Sequence, residues 1–176
     1  MIKKSYPDAT GIPDKTSGSS ARNARELLLM ETRYPLPAFL QGRCVPADFV
    51  KWLQVKSQTL LRRDKKRGKS YALNVNQTVY KEKIYEAVLQ SGECDPYTGD
   101  LLAWELIGTW DTSTHHPEDY KKQFALMPTV DHTNPDVLEF EICSWMSNEC
   151  KSYLTPDEFM TFCQKVVNHH REIRKA

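Results

Sequence analysis

The chain predicts an α+β fold: helices in front, a strand–loop–strand–helix unit behind them, and one closing helix. Three observations carry this. Apolar residues recur at helical spacing through "PADFVKWLQVKSQTLLRRDKKRGK" and "TVYKEKIYEAVLQSG". Two short extended runs, "ALMPTV" and "LEFEI", flank the loop "DHTNPD". The ending "TPDEFMTFCQKVVNHHREIRKA" opens with a helix N-terminus signature: Thr155 as N-cap, Pro156 as first residue and Glu158 three positions after the cap.

Taken in order, residues 1–20 are rich in Gly, Ser, Pro, Thr and Lys and read as a loosely docked arm. "ARNARELLLMET" fits a short helix, and three prolines and a glycine break up "RYPLPAFLQGRCVP". In the next helix Pro46 stands near the start, and Phe49, Trp52, Leu53, Leu60 and Leu61 form its apolar side. The following helix carries Val79, Ile84, Ala87 and Val88 on one side, with Gly92 placed to close it. "CDPYTGD" is a turn, and the apolar run Leu101 to Ile107 fits a strand or a short helix equally. "TSTHHPEDYKKQF" reads as a loop. In "ICSWMSNECK", Ile142, Trp145, Met146 and Glu149 follow i, i+3, i+4, i+7 spacing and predict a helix containing Asn148. The last helix should bury a stripe of Phe159, Phe162, Cys163 and Val166. A division follows: residues 1–75 as arm and helical region, residues 76–176 as the unit bearing the chemistry.

Composition excludes some classes. With 24 Lys+Arg against 23 Asp+Glu, global charge does not mark a nucleic-acid binder. Charge is concentrated locally, in "RRDKKRGK", where Arg62, Arg63, Lys65, Lys66 and Arg67 cluster at a helix end. Such a run is either a solvated face or a phosphate contact. No membrane span is expected, and the first residues lack the apolar core of a secretory signal, which favours a cytoplasmic location. The five cysteines (Cys44, Cys94, Cys143, Cys150, Cys163) form no C-x-x-C pair and read as free thiols, several of them in the core.

The pair Asp131-His132 ends an apolar run, and Asn148 follows sixteen residues after the His. A hairpin with a helix laid across it would bring Asp131 near Asn148. A carboxylate and an amide oxygen are hard ligands suited to Mg²⁺ or another divalent ion that keeps several waters. Neighbouring strand side chains point to opposite faces, so His132 would serve a water instead, and a neutral imidazole is suited to take its proton. The bland alternatives are an Asx-turn started by Asp131, a hydrogen-bonding strand-end His132 and a plain helical Asn148. His115-His116 read as surface residues, His169-His170 as partners of a helix dipole, and Trp104, Trp110 and Trp145 as core or edge aromatics.

These residues resemble the HNH endonucleases, the ββα-metal or His-Me finger family. "VDH" resembles the end of the family's first strand and "NECK" its metal-binding helix, and "CDPYTGDLLAWELI" is similar to its Tyr-Thr-Gly lead-in, with Tyr97 and Gly99 shaping the turn. The resemblance covers residues from about 90 to 165. It implies a ββα-metal core, DNA as partner and hydrolysis of a phosphodiester. It further implies His132 as general base, Asp131 and Asn148 as metal ligands, and Mg²⁺ as the ion, with Mn²⁺, Ni²⁺ or Zn²⁺ as alternatives. Lys151 is placed either to meet a phosphate or to stay solvated. The chain departs from the family in two ways. Its zinc-binding cysteine pairs are missing, and Glu139 stands where a middle Asn usually braces the loop. Glu accepts hydrogen bonds there but donates none. This keeps a second outcome open, a catalytically inactive nucleic-acid-binding or interaction module on the same fold.

Overall fold

A computed structural model describes residues 17–109 and 121–174. The elements are α1 (Ser17–Arg33), a 3₁₀ turn (Ala38–Leu40), α2 (Pro46–Lys66), α3 (Ser70–Leu73) and α4 (Gln77–Gln90). A second 3₁₀ turn (Trp104–Leu106) follows, then β1 (Pro128–His132), β2 (Phe140–Ser144), α5 (Trp145–Lys151) and α6 (Pro156–Ile173). The protein is therefore α+β, mixing helices with one two-stranded antiparallel sheet.

The buried side of α2 sets the frame. Phe49, Leu53, Ser57, Leu60 and Asp64 are all buried and follow one another at three- or four-residue steps, one stripe of a helix. The upper stripe is apolar and the last position is a carboxylate. Ser57 satisfies its hydroxyl on Gln54 O at 2.9 Å and accepts from Gln77 at 3.1 Å. The helix stops in a Schellman arrangement, with Lys69 N–H on Asp64 O at 3.0 Å and Gly68 N–H on Lys65 O at 3.1 Å. Gly68 has φ +70°, the left-handed geometry that this closure requires and that glycine adopts without strain.

Helix α4 lies on both α2 and β2. Asn76 caps it, accepting from Thr78 N–H at 2.9 Å and Val79 N–H at 3.2 Å. Its buried residues are Tyr80, Ile84, Ala87 and Val88, so Tyr80 takes the core position expected of Val79. Gly92 does not close it: Ser91 leaves the helix extended, at φ −68° and ψ 145°. Between α4 and the sheet, Trp104 is wholly buried in its 3₁₀ turn, edge-on to Trp52 at 5.4 Å and tilted against Phe49 at 6.3 Å. The run Leu101 to Ile107 is thus neither a regular strand nor an α-helix; Leu101 makes one isolated bridge to Cys94. One hydrophobic cluster joins Phe49, Leu53, Ile84, Trp104, Val130 and Ile142.

The hairpin pairs Val130 with Ile142, Asp131 with Glu141 and His132 with Phe140. Ile142 belongs to β2, so α5 starts three residues later than its helical spacing suggested. Pairing with the buried Val130 overrides that local period. Ser144 caps α5 directly from the strand end, accepting from Ser147 N–H at 3.0 Å.

Other expectations are corrected. The segment Ser17 to Ser20, expected in the arm, belongs to α1. The capping box of α6 is formed as expected, by Thr155 and Glu158. Its stripe is not buried as expected, however: Phe159 packs inward, while Phe162 is 56% and Val166 52% exposed. Amphipathic spacing supplies a face but no neighbour to cover it. Of the cysteines, Cys143 is buried, Cys44 and Cys163 half-buried, and Cys94 and Cys150 exposed. Residues 1–16, with most of the expected arm, and Trp110, His115 and His116 lie outside the described residues. No helix among the described residues is long and apolar enough to cross a membrane.

Candidate functional site

At the end of β1 the chain turns two neighbouring side chains to two different environments, as strand alternation requires. His132 faces the end of α2. Its Nε2 lies 3.0 Å from Asp64 Oδ2, and its Nδ1 lies 3.3 Å from Arg63 Nη2. The ring stands edge-on to Phe140 at 4.9 Å and tilts toward Tyr71 at 6.4 Å. Asp64 is 1% exposed, and its Oδ2 also accepts from the Tyr80 hydroxyl at 2.9 Å.

Burial alone would raise the Asp64 pKa. The hydrogen bond and charge of His132, with Tyr80 and Arg63, outweigh burial and hold it below the ordinary carboxylate range. An ionised Asp64 accepts only, so the hydrogen-bond network assigns the proton of a neutral His132 to Nε2 and leaves Nδ1 as acceptor. Burial, aided by the charge of Asp64, pushes the Tyr71 phenol up to about 12 and the Tyr80 phenol higher, so both remain donors at neutral pH.

Asp131 faces the other way, toward α5. Its Oδ2 lies 3.1 Å from Lys151 Nζ and 3.4 Å from the Tyr97 hydroxyl, which also donates to Glu141 at 3.0 Å. Glu141 is the cross-strand partner of Asp131. Burial raises both carboxyl pKa values, and Lys151 opposes the rise at each. Lys151 is only 3% exposed and also donates to Leu154 O at 2.5 Å. The solvated alternative for Lys151 is overturned: it is a buried counter-charge to Asp131.

The Tyr97 turn is built by Asp95. One carboxylate oxygen accepts from Tyr97 N–H at 2.8 Å and Thr98 N–H at 3.0 Å, while the other accepts from Ser144 N–H at 2.6 Å. Gly99, at φ +76°, completes the turn by donating to Asp95 O at 2.9 Å. The turn is thereby fixed to the β2–α5 junction, and Tyr97 stands edge-on to Phe159 at 5.6 Å.

Asp131, His132 and Asn148 line one cavity of about 480 Å³. Arg63, Arg67 and Lys69 line it from the end of α2, and Lys151 to Leu154 from the turn after α5. The basic run thus divides. Arg62, Lys65 and Lys66 are exposed and do not line the cavity. Arg63 does, and its buried Nε makes no hydrogen bond; its ion pair to Asp64 Oδ1 spans 3.9 Å.

Two expectations for the loop between the strands change. The Asx-turn belongs to Asn134, whose side chain accepts from Asp136 N–H at 2.9 Å, not to Asp131. Glu139 is exposed and closes the loop through its backbone, its carbonyl accepting from Thr133 N–H at 3.4 Å. Asp64 and Tyr80 were missed as site residues. For Asp64 a signal exists in the sequence, because one more helical step along the stripe from Leu60 arrives at it.

The residue types are those a divalent ion of the Mg²⁺ type takes, although Lys151 Nζ already lies 3.1 Å from Asp131 Oδ2. Two oxygen-bearing side chains, Asp131 and Asn148, open on one polar cavity, and such an ion takes its remaining ligands from water and phosphate. A cage of protein ligands is not offered: among the described residues no group of three or more His, Cys, Asp or Glu is placed to hold a metal. Comparison with family models, with curated proteins and with solved structures returns no match to this chain.

Proposed function

We propose that the protein is a metal-dependent endonuclease of the HNH, ββα-metal type, hydrolysing phosphodiester bonds in DNA. The observation that carries the reading is the meeting of Asp131, His132 and Asn148 in one cavity whose wall holds Arg63, Arg67 and Lys69. The order β1, β2, α5 with Asn148 on the helix is what that core requires.

In this reading Arg63 moves off Nδ1 and His132 takes a proton there from the attacking water, while Asp64 holds Nε2–H and fixes the ring. The partly exposed guanidinium of Arg63, on leaving Nδ1, offers its terminal nitrogens to a phosphate oxygen. Asp131 and Asn148 would hold the divalent ion, which when bound supplies stabilisation of the negative charge that builds on the phosphate. Lys151 fixes the Asp131 carboxylate from the side, at 3.1 Å.

One observation favours a second reading. Lys151 already neutralises Asp131 at 3.1 Å, which suits a module that binds nucleic acid without cleaving it. A plasmid-nicking assay across a Mg²⁺ and Mn²⁺ titration separates the two. The nuclease reading expects metal-dependent nicking that falls roughly 10²–10⁴-fold in His132→Ala, with DNA binding retained. Binding without nicking by the wild-type protein at every metal concentration would establish the second reading. Equal nicking by both proteins would remove His132 from the mechanism.

A further inference from the structure

Among the described residues Tyr153 is the most exposed of the large hydrophobic side chains, at 85%, and it lines the cavity that holds Asp131, His132 and Asn148. A large aromatic ring left in water at the mouth of a polar site forgoes the burial that such rings ordinarily gain. Among the described residues no hydrogen bond or ring contact involves it.

The ring is not carried on a loose loop. Ser152 N–H donates to Asn148 O at 2.9 Å, Leu154 N–H donates to Lys151 O at 3.1 Å, and Lys151 Nζ returns to Leu154 O at 2.5 Å. The same Nζ pairs with Asp131. Ser152, at φ 55° and ψ −115°, is the one non-glycine residue with positive φ among those described. Residues 151–154 thus form a tight turn whose first residue is clamped to Asp131. The turn holds Tyr153 beside the site, and the cations Arg63, Arg67 and Lys69 line the same cavity.

An exposed π-face on a held turn beside a cationic wall matches the way proteins hold single-stranded nucleic acid, by cations along the backbone and aromatic rings against the bases. In a duplex the bases are stacked on each other, and neither face is available. We propose that Tyr153 stacks on an unpaired nucleobase next to the phosphate held in the cavity, which makes the substrate class single-stranded DNA, or DNA with an unpaired nucleotide at the cleavage point. The proposal rests on the nuclease reading above for the position of the phosphate.

The test measures binding of the full chain in EDTA, so that cleavage does not interfere. The probes are fluorescein-labelled oligothymidylate and a blunt duplex of the same length. Wild type should prefer the single strand. Tyr153→Ala should weaken single-strand binding by roughly 5- to 100-fold and leave duplex binding within about two-fold, from the usual worth of base–aromatic stacking. Tyr153→Phe should retain the wild-type affinity, because the ring and not the hydroxyl is used. Equal loss on both probes, or no loss on the single strand, overturns the stacking role and leaves the nuclease reading standing. Failure of wild type to bind either probe at low salt, both in EDTA and with Ca²⁺ in its place, removes the nuclease reading and the stacking proposal together. A thermal melt of each variant confirms the fold, which an exposed side chain should leave unchanged.

Discussion

Asp64 and His132 meet at 3.0 Å from opposite parts of the chain, 68 residues apart. The carboxylate comes from the core stripe of α2 and the imidazole from the last residue of β1. Tyr80 fixes the carboxylate, and Arg63 Nη2 lies 3.3 Å from the other ring nitrogen. This contact joins the basic helix end to the hairpin and decides which nitrogen of a neutral His132 carries the proton.

On the nuclease reading, Asp64→Asn should slow nicking by about 10- to 100-fold while oligonucleotide binding stays near wild type, because the ring loses its orienting carboxylate. A side-chain amide accepts more weakly than a carboxylate and stabilises no imidazolium. Single-turnover nicking, measured beside fluorescence anisotropy, makes the comparison. A fall in binding with unchanged turnover would show that Asp64 shapes the basic wall and does not orient the ring.

Acid stability gives a second reading of the same carboxylate. The Asp64 pKa is held below its unfolded value of about 3.9 despite burial, by His132, Tyr80 and Arg63. A carboxylate depressed in this way stabilises the fold above its unfolded pKa and loses that contribution as pH falls through the folded value. Urea unfolding should show wild type more stable than Asp64→Asn at pH 6, with the gap closing below about pH 4. A gap that stays constant down to pH 3 would place the effect in packing and not in ionisation.

The Lys151–Asp131 pair is buried on both sides, with side-chain exposures of 3% and 6%. Lys151→Met should cost about 3–5 kcal/mol, because Asp131 then loses its counter-charge. Adding Asp131→Asn should return a large share of that loss, which a thermal or urea double-mutant cycle reads directly. If a divalent ion occupies the cavity, Mg²⁺ should raise the Tm of Lys151→Met more than that of wild type. Equal Mg²⁺ responses in the two proteins would count against Asp131 as a ligand.

Ser152 supplies the fourth prediction. Its φ of 55° with ψ −115° suits glycine at the first corner of a type II′ turn, and Leu154 N–H to Lys151 O at 3.1 Å closes that turn. Ser152→Gly should raise stability by about 1 kcal/mol, or Tm by about 2–4 °C. Ser152→Val should lower it, because a β-branched side chain tolerates this geometry poorly. A destabilising glycine would show that the Ser side chain earns its place some other way.

What the sequence disclosed divides by the range of the interaction. The α6 capping box, the Pro46 start of α2 and the strand–loop–strand order around Asp131 and His132 are local, and local chemistry sets them. Asn148 was legible because a short hairpin carries the chain back within sixteen residues. Asp64 looked like one acid inside a basic run, since its role depends on a strand that arrives much later. Lys151 was hidden for the same reason: nothing in "NECK" says that its ammonium turns inward onto Asp131. The α6 stripe failed in the opposite direction, because periodicity tells which residues share a face and not whether anything covers it.

The Asp64–His132 contact also has a kinetic meaning. Its two halves are 68 residues apart, so the imidazole gains its partner only when a long loop has closed, a step whose cost grows with the logarithm of the intervening length. Contacts of such separation slow folding and belong to its later, global stages. The hairpin itself is short-range, Val130 pairing with Ile142, but it rests on the same core cluster as Phe49, Leu53 and Ile84, so strand and carboxylate come into place together. The orientation of the imidazole is therefore a property of the completed tertiary fold and not of the hairpin that carries it.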